Sequence, residues 1–118
     1  MGYMITATIS RDSVLGFFEL DDSGKIKYSR NGISADGLTE HSIIGQDFFE
    51  LAAFRNSDEL KRLFRRFVES REAADSFPFD CCFDNTVMHT KVTLTRAFQT
   101  ELFPPESIVM LSIRESEN

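Results

Sequence analysis

The stretch Ser107-Ile108-Val109-Met110-Leu111-Ser112-Ile113-Arg114 constrains the fold most. Successive residues of a strand point to opposite faces. Ile108 and Met110 share one side, and Val109, Leu111 and Ile113 share the other. A strand that is apolar on both sides belongs in the middle of a sheet with both faces covered. Pro104-Pro105 breaks the chain just before it. The chain must therefore assemble strands on either side of this one and find cover for two faces.

The flanking segments supply those strands. Val14 to Leu20 reads as a strand, Asp21-Asp22-Ser23-Gly24 as a turn, and Lys25 to Arg30 as the returning strand. Residues 31–45 hold Gly32, Gly37 and Gly45 among polar groups, which predicts short helical turns, with Thr39 as a cap for Ile43 and Ile44. From Asn56 or Ser57 a helix is predicted to run toward Ala73. Asp58 and Glu59 suit its first turn, and Leu60, Leu63, Phe64 and Phe67 make one apolar stripe. Phe77, Phe79, Cys81 and Phe83 then alternate with Pro78, Asp80, Cys82 and Asp84. After a loop at Asp84–Val87, Met88, Thr90, Val92 and Leu94 alternate with His89, Lys91, Thr93 and Thr95. That loop sets Phe83 opposite Met88, Cys81 opposite Thr90, Asp80 opposite Lys91 and Cys82 opposite His89. Helices inserted between a hairpin and a three-stranded meander make the chain α+β.

Length and composition bound the function. The 118 residues fit one domain, with residues 1–13 as an N-terminal arm or cap, 14–114 as the domain and 115–118 as a tail. Twelve of the fourteen aromatics are Phe and none is Trp, which favours a dry core. The net charge of −6 argues against binding nucleic acid or an anionic membrane. The sequence shows neither a membrane-spanning run nor a secretory signal, and its two cysteines are adjacent, so they read as reduced thiols in a cytoplasmic protein.

Four segments, in order, resemble the PAS superfamily and its photoactive yellow protein branch. They are Leu15-Gly16-Phe17-Phe18-Glu19-Leu20-Asp21 with Lys25-Ile26 and Tyr28, then Ile43-Ile44-Gly45-Gln46-Asp47-Phe48-Phe49, then Phe79-Asp80-Cys81-Cys82-Phe83-Asp84, then Thr90-Lys91-Val92. The resemblance covers about residues 14–114. It implies a PAS fold, a five-stranded antiparallel sheet of order 2-1-5-4-3 with helices on one face. In that branch a cysteine after the Phe-Phe motif carries a hydroxycinnamyl thioester. Here Glu50–Ser57 holds no cysteine, and Phe54 or Arg55 stands at the matching place. The phenolate-binding Tyr is matched by Tyr28, its buried Glu by Gly32, and its Thr and Arg fall near Asp36 and Leu38. Without the thiol no thioester forms, and without the Glu a phenolate loses a charge-assisted hydrogen bond. Flavin-type members carry an Asn-Cys-Arg-Phe-like motif on the short helix, and none is present; haem-binding members often place a His on the long helix, and residues 57–73 hold no His. No cofactor is expected.

The resemblance and the residues together imply a non-catalytic regulatory or sensory module in signal transduction. Its expected partner is a second copy of itself, a signalling protein, or both. The outer sheet face would be Phe17, Val109, Leu111 and Ile113, covered by residues 1–13 or by another subunit. Two alternatives stand beside this. One is a sensor holding a small apolar ligand between sheet and helices, lined by Tyr28, Phe48, Phe64, Phe79 and Phe83. The other is a redox-responsive thiol at Cys82 beside His89. His41 lacks partners at ligand spacing and is read as an exposed polar residue, not a metal ligand. Lys61, Arg62, Arg65, Arg66 and Arg71 form a cationic helix face, with Asp58–Arg62 and Arg65–Glu69 spaced for ion pairs. No nucleophile, base and orienting group converge in the sequence, so no enzyme is expected.

Overall fold

The structure is a computed structural model, and it describes residues 15–31, 43–52, 54–99 and 106–116. The N-terminal arm, Thr39, His41 and Pro104-Pro105 lie outside the described residues. The elements are β1 (Gly16–Leu20), β2 (Ile26–Asn31), α1 (Phe48–Leu51), α2 (Ser57–Glu69), β3 (Ala74–Cys82), β4 (Val87–Gln99) and β5 (Glu106–Glu115). The five strands form one antiparallel sheet of order β2-β1-β5-β4-β3, so the doubly apolar strand is central as its pattern requires. Helix α2 ends at Glu69, earlier than predicted, and β3 begins at Ala74, three residues before Phe77.

Each end of the sheet is tied down by identifiable groups. At the β1–β2 turn, Asp21 Oδ1 accepts from the Ser23 and Lys25 amides at 2.9 Å and from the Ser23 hydroxyl at 2.7 Å. Burial pushes this carboxyl up, but those hydrogen bonds and the charge of Lys27 outweigh it and hold the group below the ordinary range. Gly24 has φ +94°, and a Cβ there would stand 3.0 Å from the Phe49 ring. Only glycine meets both demands. The Ile43–Phe48 segment is laced to β2, because Ile26 donates to the Gln46 carbonyl and accepts from Gly45. Asp47 then caps α1 by accepting from the Phe49 amide at 2.8 Å.

Helix α2 buries Leu60, Phe64 and Phe67 against the sheet, as the stripe predicts. Its N-cap, Asn56, makes no capping bond with its side chain. The amide instead spans the free edge of β3, donating to the Asp80 carbonyl at 2.8 Å and accepting from the Cys82 amide at 3.0 Å. The Arg55 amide reaches the Cys82 carbonyl beside it. In the same outward-facing alternation, Pro78 has no N–H to offer, and the Ser76 amide is taken by the Asp75 carboxylate at 2.9 Å. The β3 edge is thereby closed along most of its length.

The β3–β4 register differs from the expectation by two residues. Cys82 pairs with Val87, Cys81 with Met88, Asp80 with His89 and Phe79 with Thr90. The loop keeps four residues but occupies Phe83–Thr86, closed by the Phe83 amide donating to the Thr86 carbonyl at 2.8 Å. Leaving the ladder lets the Phe83 ring settle 6.3 Å from Phe54. Because the slip is even, every side chain keeps its face, and the alternation cannot distinguish the two registers.

Candidate functional site

The two faces of β5 are exchanged relative to the expectation. β1 pairs with β5 so that Phe18 stands opposite Leu111 and Leu20 opposite Val109. Phe18 packs on Phe48 of α1 at 4.7 Å. Val109, Leu111 and Ile113 are therefore core residues under the helices, fully buried. They are not an outer interface. The outer face carries Ile108, Met110 and Ser112 from β5, with Phe17 and Glu19 from β1 and Tyr28 from β2. Phe17 alone of the predicted interface residues lies there. Phe17 and Met110 are half-buried, Tyr28 is 38% exposed, and the Tyr28 ring meets Phe17 edge-on at 6.5 Å. Both apolar sides of β5 alike carry large residues, so composition gave no sign of which meets the helices.

The predicted ligand-lining set divides in the same way. Phe48, Phe64 and Phe79 are buried in the core. Phe48 meets Phe49 at 5.3 Å, Phe49 meets Phe64 at 5.2 Å, and Phe54 meets Phe79 at 6.0 Å, so these rings fill one another's space. Phe83 is half-buried at the hairpin end. Tyr28 is on the opposite face of the sheet and cannot join them. Beside Tyr28 the inward residue of β2 is Ser29, which pairs with Phe18 and is 1% exposed. Among the described residues its hydroxyl has no hydrogen-bond partner. Sequence reasoning passed over Ser29, because the resemblance drew attention to Tyr28.

The redox pair is not directly opposed. His89 faces Asp80, and its Nδ1 lies 2.7 Å from the Asp80 carboxylate. Cys82 lies across from Val87, with its Sγ 3.8 Å from the Asp80 carbonyl. Cys81 points into the core, where burial pushes its thiol up to about 11 against the hydrogen bond to Thr90. Both thiols are free.

Arg96 is a residue the sequence did not single out. It sits on the helix face of β4, opposite Val109. Its guanidinium donates to the carbonyls of Phe67 at 2.6 Å, Ser70 at 3.2 Å, Glu72 at 3.3 Å and Val68 at 3.4 Å, and lies 4.9 Å over the Phe67 ring. A cation thus closes the carbonyl end of α2. Beside it a groove of about 460 Å³ runs between α2 and β3, with Leu63, Phe67 and Phe77 as its apolar part and Arg66, Glu72 and Asp75 on its rim.

The strand order, the central β5 and the helices on one face define a PAS fold. The chain is similar to the PAS domain of BvgS from Bordetella pertussis, with TM-score 0.60 and 12% identity over 88% of this chain and 78% of that one. It is also similar to the PAS domain of an HTR-like protein from Haloarcula marismortui, with TM-score 0.53 and 18% identity over 86% of this chain and 85% of that one. A third similar structure is the PAS domain of the RpfR quorum-sensing receptor from Cronobacter turicensis in complex with C12:0, with TM-score 0.55 and 18% identity over 86% of this chain and 93% of that one. At these identities the likeness is one of fold. No protein-family model matches the chain, and no curated protein does. No described helix is long and apolar enough to cross a membrane.

Proposed function

We propose that this chain is a non-catalytic sensory or regulatory module of the PAS kind that works by protein–protein association, with a second copy of itself as the first partner. The observation that carries this reading is the outer sheet face, where Phe17, Tyr28 and Met110 leave apolar surface open beside the buried Ile108. Burying the first three across an interface contributes about 1 kcal/mol each, since each is already partly covered. The closed β3 edge supports association through the face rather than by strand addition at that edge. Two free thiols suit a reducing compartment. The scaffold is read as that of photoactive yellow protein without its chemistry, because residues 50–57 hold no cysteine and Tyr28 stands outside the core.

Sedimentation at several concentrations tests this. The expected result is a dimer fraction that grows with concentration and is abolished by Met110→Asp with little change in thermal midpoint. A wild-type protein that stays monomeric throughout refutes it.

A second reading, as a small-molecule sensor, is supported by the orphan Ser29 hydroxyl, since a buried polar group without a partner is costly unless a ligand or water satisfies it. The structures of the RpfR PAS domain with C12:0 and with BDSF lend it further support. Native mass spectrometry of the purified protein decides it. Extra bound mass that Ser29→Ala removes is the expected sign, and bare protein alone counts against it.

A further inference from the structure

We infer that the exposed face of α2 docks an acidic peptide segment of a partner protein, on the side of the molecule opposite the outer sheet face. Arg62, Arg65 and Arg66 are exposed, and Lys61 is half-buried beside them. Their spacings make Lys61–Arg65 and Arg62–Arg66 four apart and Arg62–Arg65 three apart, so like charges are neighbours on the helix surface. Such an arrangement destabilises a helix by a few tenths of a kcal/mol per pair unless carboxylates relieve it. The carboxylates available do not. Asp58 and Glu69 stand four residues from Arg62 and Arg65, yet among the described residues neither enters an ion pair. Among the described residues the only ion pair to α2 is Lys61 with Asp47, at 3.8 Å. With Asp58, Glu59 and Glu69 on the same helix its net charge is +1, but the four cations cluster within residues 61–66, a local reversal in a chain of net charge −6.

The residue types and the neighbouring surface name the occupant. Three of the four cations are Arg, whose planar fork suits bidentate contact with carboxylates. Past Arg66 the face meets the groove floored by Leu63, Phe67 and Phe77, where Glu72 and Asp75 on the rim turn away a carboxylate and leave room for an apolar side chain of the peptide. Nucleic acid and anionic lipid also carry negative charge, but the net charge of the chain repels an extended polyanion, whereas a short peptide meets only this face.

The test uses the full chain and a fluorescently labelled peptide of mixed Asp and Glu with one central Phe, followed by anisotropy. Binding is expected at low salt and is expected to weaken as salt rises. Arg62→Gln/Arg65→Gln should weaken it about tenfold, while Lys91→Gln, on the far side of the sheet, should leave it unchanged. The double variant should keep or slightly raise the thermal midpoint, because like-charge contacts are removed. Equal binding by the double variant, or tighter binding of single-stranded DNA or anionic vesicles than of the peptide, would overturn the inference. A lowered midpoint would do so as well, by showing that these cations serve the fold. Self-association is read by sedimentation, so the two proposals fail separately.

Discussion

Replacing Arg96 by Met keeps the aliphatic stem and removes the charged head, which isolates what the guanidinium does for α2. In the structure that head meets the Phe67 carbonyl at 2.6 Å and the Ser70 carbonyl at 3.2 Å, with longer approaches to Glu72 and Val68, and covers the Phe67 ring at 4.9 Å. A charged hydrogen bond is worth about 1.5–3 kcal/mol net when well enclosed. Arg96 is only half-buried and borders an open groove, so water can replace part of the loss. Counting the two shorter bonds at about 1 kcal/mol each, and the ring contact at about 0.5 kcal/mol, gives a loss of about 2–2.5 kcal/mol. For a domain of this size that lowers the thermal midpoint by roughly 8–12 °C. Urea titration followed by circular dichroism should show a lower midpoint concentration with the same slope. Arg96→Lys should recover no more than about half, because one ammonium cannot reach diverging carbonyls as the fork does. A loss below about 0.5 kcal/mol for Arg96→Met would refute the claim that this residue closes the helix, since that is the size of an ordinary surface change.

Three further outcomes follow from the core, the cysteines and the first hairpin. Gly24→Ala must hold φ +94° with a side chain and also push its Cβ to 3.0 Å from the Phe49 ring, so it should lose about 2–3 kcal/mol in urea titration, whereas Gly45→Ala, with open space around it, should lose less. For Cys81, the folded thiol titrates near 11, above the ordinary range. Its protonated form favours the fold fully at neutral pH, and that contribution is lost as pH rises from roughly 8.5 toward 11. The stability difference between wild type and Cys81→Ala should therefore shrink by about 3 kcal/mol over that window, and a difference independent of pH would contradict it. At pH 8 a thiol reagent should modify Cys82 alone until denaturant exposes Cys81.

The sheet was legible in the sequence where pattern and physics admit one answer. Alternating or doubly apolar runs placed β3, β4 and β5, and the central position of β5 followed from its two apolar sides. The same property hid its orientation. Both sides are large and apolar, and the pairing of Phe18 with Leu111, which settles the matter, is a long-range contact that no local pattern encodes. The β3–β4 register failed for a related reason. Moving the loop by one residue preserves every facing, and the choice rests on Phe83 packing against Phe54, some thirty residues away in sequence. The candidate site suffered most. Tyr28 drew attention through family likeness, but the inward residue is Ser29. Arg96 drew no notice, because its partners are the terminal carbonyls of a helix that the strand pattern does not mention.

The sealed border of β3 has a consequence for how the protein behaves when crowded. An unsealed rim would let each molecule serve as the template for the next, and growth of that kind has no natural end. With Asn56 bridging one stretch, Pro78 silent in the middle and Asp75 holding the Ser76 amide, encounters at that rim do not propagate into fibrils. At that rim contacts are left to side-chain surfaces, where stoichiometry is finite and can be reversed, as the proposed association requires.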